Sequence, residues 1–391
     1  MRLLQVTPSY KPAYGYGGTI TSIGLLCEAL TTEGVDVTVI TTTANGIHEL
    51  PTHCDKPTLV EGVPVFYFPR WTKDHSHFSP TLLRWLWSNV KNYDVVHIHS
   101  WWNLVALLSV LVCILRGVKP IVSPRGMLST FTIQRKIRQF FHQTMGKWLL
   151  SNTFLHATSR QESEEGLALL PNWQYTVLPN LLEMPQPTNL IETLKSNSQD
   201  PIHLLFLSRL HPKKGLELLF DALKLVPFKW TLTIAGDGDA AYINTLKTKA
   251  KDLHIDLKIN WLGWVEPIHR FAIFQAADVF VLPSHNENFA NVVIESLVVG
   301  TPVLVSEHVG LADYVQDKNL GWVCRTTVKS LNEKLTEAYY QKAKRQQIAQ
   351  RANTQIRQDF DPSVLAQQYL QMYKNSQQSI KNVRDLVTSP V

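Results

Sequence analysis

Short apolar, β-branched runs alternate with helical patterns along nearly the whole chain of 391 residues. RLLQVTPS, from Arg2, reads as a strand, TSIGLLCEALTTEG as a helix ending at Gly34, and DVTVITT as the next strand. VVHIH, PIVSP, FLHATS and YTVLP follow as strands of the first half. The pattern then restarts with HLLFLSR, LTIAG, INWLG, VFVLPS and PVLVS, again separated by helical segments. Such alternation predicts parallel sheets covered by helices on both faces. Between the halves, EMPQPTNLIETLKSNSQDP at 183–201 is rich in Pro, Ser, Asn and Gln and reads as a linker. The expected fold class is α/β, with two Rossmann-like, doubly wound parallel-sheet domains, 1–185 and 186–364, facing each other across a cleft. A final helix over 365–391 is expected to return to the first domain. The segment leading into it, DPSVLAQQYLQMYKNSQQS, places Asp361 as an N-cap and Pro362 at the first helical position. In such sheets ligands sit beyond the carboxyl ends of the strands, so the residues just after each strand hold the functional interest.

Composition narrows the class. The length exceeds what one core ordinarily serves, and 45% apolar residues is normal for a soluble globular protein. Cys27, Cys54, Cys113 and Cys324 are scattered, with no CxxC, which points to reduced, buried thiols rather than a disulfide framework or a zinc site. MRLLQVTPSY reads as a strand and not as a signal peptide, so a cytoplasmic setting is expected. WWNLVALLSVLVCILRG is shorter than the roughly 20 residues of a membrane span and reads as a buried helix.

Charge is uneven. The net charge is +6, yet between Val95 and Gln161 there is no Asp or Glu and there are eight Lys or Arg. Within that window, Ile133, Ile137, Phe140, Phe141, Met145, Trp148 and Leu149 recur at helical spacing, with Arg135, Lys136, Arg138 and Lys147 on other faces. A helix over 131–150 of this kind suits an anionic membrane surface. It equally suits a core-packing helix with a solvated basic face. No nucleic-acid motif accompanies the charge, so nucleic acid is not expected as a partner.

Three loops carry candidate chemistry. In PSYKPAYGYGGTITSIG, Gly17 and Gly18 stand between the first strand and the first helix, where a backbone can approach a ligand and a helix N-terminus can meet an anion. The spacing is not GxGxxG, so a dinucleotide fingerprint is absent. In SRLHPKKGLELLFDAL, Arg209 ends a strand and Lys213 and Lys214 precede a helix, an arrangement of cations suited to a diphosphate. In HNENFANVVIESLVVGTP, Glu287 lies in a loop and Glu295 within the following helix, where two carboxylates can accept hydrogen bonds from sugar hydroxyls. Surface glutamates and a solvated basic loop are the plainer readings of the last two. His97 and His99 share one face of a strand, but no third metal ligand is evident, so no metal is expected. Trp101 and Trp102 suit either stacking on a sugar ring or packing.

The E-x7-E spacing, the Gly-Gly loop, SRLHPKKG, AGDGD at 235–239 and the VLPS strand, in that order over nearly the whole chain, resemble glycosyltransferase family 4, a family of GT-B fold. PRGML, ENFANVV and GWVC are similar to members that build bacterial exopolysaccharide and lipopolysaccharide. The resemblance implies retaining transfer of a hexose from a nucleoside diphosphate sugar, UDP- or GDP-linked, to a glycan or lipid-linked acceptor. No cofactor and no obligatory metal are implied. By the same resemblance Glu287 contacts the donor sugar and Glu295 the ribose. Arg209 and Lys214 bind the diphosphate, the backbone at Gly17 and Gly18 lies against it, and Phe289 and Ala290 offer backbone amides. The resemblance departs at three points: many relatives carry a histidine where Arg125 stands, usually a glycine where Ala290 stands, and often a glycine where Leu181 follows Asn180. Arg125 is therefore expected to bind a phosphate or an anionic acceptor, with His99 at the acceptor edge. A soluble transferase on a small acceptor and a catalytically silent sugar-nucleotide binder are the alternatives, with a nicotinamide dehydrogenase a more distant one. Attachment to the inner face of the plasma membrane is expected for a lipid-linked acceptor.

Overall fold

The computed structural model describes residues 1–46, 48–51, 56–133, 136–185 and 201–388, the last eleven of these by backbone alone. The chain divides into two compact units, Met1–Leu182 with the segment from Pro362, and Glu183–Asp361. Most of the expected linker, Cys54 and Arg135 lie outside the described residues.

The first unit holds β1 (Arg2–Val6), β2 (Asp36–Thr42), β3 (Ala44–Asn45), β4 (His48–Glu49), β5 (Thr58–Val60), β6 (Val63–Phe68), β7 (Val95–His99), β8 (Ile121–Ser123), β9 (Phe154–Ala157) and β10 (Tyr175–Val177). Eight of them form one sheet in the order β10-β9-β8-β7-β1-β2-β6-β5, and β3 and β4 make a separate ribbon. All pairings in the large sheet are parallel except β5 with β6. Central strands such as β7 are buried at every residue, as expected of a sheet covered on both faces. The helix Leu104–Leu115 is capped by Asn103 Oδ1, which accepts from the Ala106 amide at 2.8 Å. It lays Val105, Ala106, Val110 and Cys113 on the core, so the most apolar stretch is indeed a packed helix. Among the described residues no helix is long and apolar enough to cross a membrane. The last helix, Pro362–Thr388, packs against the helix Gly18–Thr32 and belongs to this unit.

The segment expected as a helix over 131–150 is helical wherever it is described. Thr130–Ile133 is α-helical, and Lys136–Phe141 runs through a π-helical turn, His142–Gly146, into Lys147–Ser151. His142, Leu149 and Leu150 are buried, while Phe131, Ile137, Phe140, Met145 and Trp148 stand exposed.

The second unit is a six-stranded sheet of β11 (Ile202–Leu207), β12 (Trp230–Ala235), β13 (Ile259–Gly263), β14 (Val279–Leu282), β15 (Val303–Ser306) and β16 (Gly321–Cys324). Its order is β13-β12-β11-β14-β15-β16 with every pairing parallel. The strand order reverses at β11–β14, the switch point where a crevice opens beyond the carboxyl ends. Every strand read from the pattern is present. Strands β3 to β6 were not read, and GWVC, noted only as a motif, is β16.

Candidate functional site

In the second unit the loops after β11, β14 and β15 meet at the carboxyl edge of the sheet. Gly215, at φ 73, allows the first contact: a Cβ there would lie 2.2 Å from the Pro283 carbonyl oxygen. The His285 amide donates to the Lys213 carbonyl at 2.7 Å, joining the loop after β11 to the loop after β14. The Glu287 amide donates to the His308 carbonyl at 2.9 Å, and the Gly310 amide to the Glu287 carbonyl at 2.8 Å, so the backbone of Glu287 is clamped by the loop after β15.

This framework sets the charges. The Lys214 ammonium donates to a Glu287 carboxylate oxygen, with the two side chains 8% and 16% exposed. Lys213 is half-buried, and burial pushes its ammonium below the usual lysine range against the pull of Glu287. Arg209, two residues past β11, is exposed and has no ion-pair partner among the described residues. Phe289 is buried against Phe360 at 6.3 Å between ring centroids, so only its backbone is on offer to a ligand. Ala290 takes φ 70 and ψ 72 as the residue before the helix Asn291–Val298. A left-handed residue with a side chain costs about 1–2 kcal/mol, which is why glycine is natural there. Glu295 lies on that helix, buried, 3.4 Å from Arg270 Nη1; Arg270 Nη2 donates to Glu183 at 2.7 Å. Burial raises the Glu295 carboxyl above its ordinary value, with Arg270 opposing the shift.

In the first unit Gly17, at φ 85 and ψ −158, turns the loop after β1 into the helix Gly18–Thr32, a backbone only glycine adopts readily. A second cluster lies at the carboxyl edge of β7, β8 and β9. Arg125, at φ 56 in the loop after β8, donates to Asn180 Oδ1 and, at 3.3 Å, to His99 Nδ1. The loop is pinned by the buried Glu162, whose carboxylate accepts from the Gly126 and Thr158 amides, both at 2.7 Å. His97, His99 and His156 are fully buried, and burial holds all three below the ordinary imidazole value, His156 at about 3. All six of their ring nitrogens take part in hydrogen bonds within the unit. Among the described residues no group of three His, Cys, Asp or Glu side chains is placed to hold a metal ion.

Two family models match this chain. Residues 17–181 match the one described as Glycosyl transferase 4-like domain, and residues 190–355 the one described as Glycosyl transferases group 1. The chain is a GT-B glycosyltransferase. A glycogen synthase of Mycobacterium tuberculosis is 26% identical over 95% of this chain and 94% of its own length. Among solved structures, the sucrose-phosphate synthase of Thermosynechococcus elongatus superimposes with a TM-score of 0.74 at 19% identity, covering 96% of this chain and 99% of that one. HepE of Anabaena, solved in complex with UDP and glucose, gives 0.73 at 19% identity, covering 96% and 100%.

The transferase thus brings Lys214 and Glu287 into contact, with Arg209 on the same loop as Lys214. Glu295 stands apart, engaged by Arg270 rather than by the lysines. Arg270 and Glu183 were missed by the sequence reading, because neither lies in a strand-end loop of the recognised motifs. Trp101 is fully buried, and Trp102 donates its indole N–H to the Met127 carbonyl within the core, so packing and not sugar stacking accounts for both. His99 is buried behind Arg125 and is its partner, not an exposed acceptor contact.

Proposed function

We propose that the transferase moves a hexose from a nucleoside diphosphate sugar to a hydroxyl of a glycan acceptor carried on an anionic lipid, in polysaccharide biosynthesis.

 The donor is UDP- or GDP-linked and anomeric configuration is retained. The single observation that carries this reading is the set of cations at the carboxyl edge of the second sheet, Arg209, Lys213 and Lys214, beside the clamped carboxylate of Glu287. Preorganised cations stabilise charge that develops on a leaving diphosphate. Glu287 would accept hydrogen bonds from the donor sugar and Glu295 from the ribose, with the Phe289 and Ala290 backbone beside them. In the transfer step the acceptor oxygen bonds to the anomeric carbon as the bond to the diphosphate breaks, and the acceptor proton passes to the leaving diphosphate oxygen. This fits the buried histidines of the first unit, whose ring nitrogens are all committed to hydrogen bonds.

The acceptor reading is supported by the exposed surface of Phe131, Ile137, Phe140, Met145 and Trp148, with Lys136 and Lys147 exposed among them. Apolar side chains ringed by cations suit the interface of an anionic bilayer. Thermal unfolding with UDP, GDP, ADP, CMP, NAD and NADH, each with EDTA, tests the donor. One nucleoside diphosphate should stabilise the wild type and not Arg209→Ala; at 100 times its dissociation constant it adds about 2.7 kcal/mol. A shift from NAD or NADH alone would replace the reading with a dehydrogenase. Pelleting with vesicles tests the surface: wild type should sediment with anionic and not neutral lipid, and Ile137→Glu with Phe140→Glu should abolish this without loss of fold. Equal recovery on both lipids would remove the electrostatic attachment.

A further inference from the structure

The buried cations among the described residues each meet a carboxylate: Lys11 meets Glu28, Arg70 meets Glu49 and Lys214 meets Glu287. Arg125 meets none among the described residues. Its guanidinium is held by two neutral acceptors, His99 Nδ1 and Asn180 Oδ1, on a left-handed loop that Glu162 pins from behind.

The rest follows from donor and acceptor inventory. Arginine only donates, so His99 Nδ1 must accept, and the His99 proton lies on Nε2. That Nε2–H donates to Gln5 Oε1 at 2.7 Å, so the Gln5 amide nitrogen donates to the Tyr373 hydroxyl oxygen at 3.3 Å. The Tyr373 O–H then donates to His97 Nδ1 at 3.0 Å, and His97 Nε2–H to Ser123 Oγ at 2.6 Å. The Ser123 O–H donates to His156 Nδ1 at 2.5 Å, and His156 Nε2–H is shared by the Leu178 carbonyl oxygen at 3.0 Å, which only accepts, and the Tyr369 hydroxyl oxygen at 3.1 Å, whose own O–H donates to the Pro179 carbonyl at 3.1 Å. One end can only donate and the other can only accept, so the whole chain runs one way. Every lone-pair end points toward Arg125, and aligned bonds of this kind polarise one another. The guanidinium is stabilised without being neutralised. A proton added to any of the three rings would set a donor against a donor. The charged and titratable groups around the rings and their tyrosine partners are Arg125, Cys27 of the helix Gly18–Thr32, Glu162, Tyr369 and Tyr373.

We infer that Arg125 binds an anionic group, phosphate or carboxylate, of the acceptor, and that Gln5, His97, Ser123, His156 and Tyr373 are its positioning residues. The inference rests on the acceptor-side reading of Arg125 given above. Tyr373 sits on the last helix, so the acceptor side of the transferase is complete only with that helix docked.

The test uses the full chain labelled with 15N-histidine, with long-range proton–nitrogen correlation from pH 6 to 8.5 and assignment by His99→Asn and His156→Asn. The expected result is three neutral Nε2–H rings that do not titrate in this range. Inorganic phosphate should move the His99 resonance in wild type and not in Arg125→Gln. Tyr373→Phe should give His97 both tautomers and weaken phosphate at the His99 resonance by about tenfold or more, since His97 Nδ1 and the Gln5 amide lose their partner. An Nδ1–H ring, a titrating ring, a His99 resonance indifferent to phosphate, or an unaltered response in Tyr373→Phe would each overturn the inference. None of these readouts uses turnover or nucleotide binding. Failure of the donor reading in the thermal experiment is therefore distinguishable from failure here.

Discussion

Acid should loosen the first unit specifically, by an amount that follows from its buried histidines. His97, His99 and His156 are uncharged in the folded chain, with burial depressing all three. A histidine in the unfolded chain titrates near 6.5. A depressed folded value means stability that is present above the unfolded value and is lost as pH falls below it. Lowering pH from 8 to 5.5 lets each unfolded histidine gain about 1.4 kcal/mol of protonation free energy that the folded one lacks. Three of them make about 4 kcal/mol, a large share of the ordinary margin of a domain. His77, held at about 4 by burial and Arg70, adds a fourth when the unit unfolds as a whole. A single melting curve would mix the two units, so amide exchange is the better assay. Amides of β7 should show an opening free energy about 4 kcal/mol lower at pH 5.5 than at pH 8, after correction for intrinsic exchange. Amides of β11 serve as the control. There the buried Glu295 carboxyl is raised, which favours the folded state as pH falls, the opposite sign. Opening of β7 that changes by less than about 1 kcal/mol would show that the cluster is hydrated or already charged.

The remaining expectations concern the second unit. Arg209→Ala should slow turnover by roughly 10²–10³-fold while leaving the melting temperature unchanged, because the side chain is exposed; turnover within about threefold of wild type would remove it from the mechanism. Lys214→Met should destabilise the unit by about 2 kcal/mol in chemical denaturation, less than a wholly buried pair because both side chains keep some exposure. Adding Glu287→Gln should recover most of that loss, and purely additive effects would show that the contact carries no coupling. Gly215→Ala should cost at least about 2 kcal/mol and weaken binding of whichever nucleoside diphosphate stabilises the wild type, since it sets a Cβ 2.2 Å from the Pro283 oxygen at φ 73; unchanged binding by calorimetry would show that this loop junction does not shape the proposed donor site.

The strand content was legible because period and composition act locally. Buried parallel strands such as VVHIH and VFVL are short apolar runs bounded by polar loops, and both form where expected. The proximity of Lys214 and Glu287 was readable only as a resemblance. Their contact depends on loops after β11 and β14, 73 residues apart in the chain, being joined at Gly215. The segment 130–151 shows what local periodicity leaves open. Its apolar spacing fits a helix but does not say which apolar positions are covered: Ile137, Phe140 and Trp148 end exposed, while Leu149 and Leu150 are buried. The histidine chain left a faint trace, polar residues at Gln5, His97, Ser123 and His156 inside otherwise apolar strands.

By itself the sequence determined two parallel-sheet units and the strand ends at which the charged residues appear, because alternation of apolar runs and helices needs only neighbours along the chain. Tertiary structure alone decided which charges are paired and which stay uncompensated. Arg270 reached Glu295, Lys214 reached Glu287, and Tyr373 closed a chain of neutral groups that leaves Arg125 its charge. The physical reason is that hydrogen-bond direction and burial are properties of groups brought together from distant strands and loops, and periodicity along one element carries no record of them.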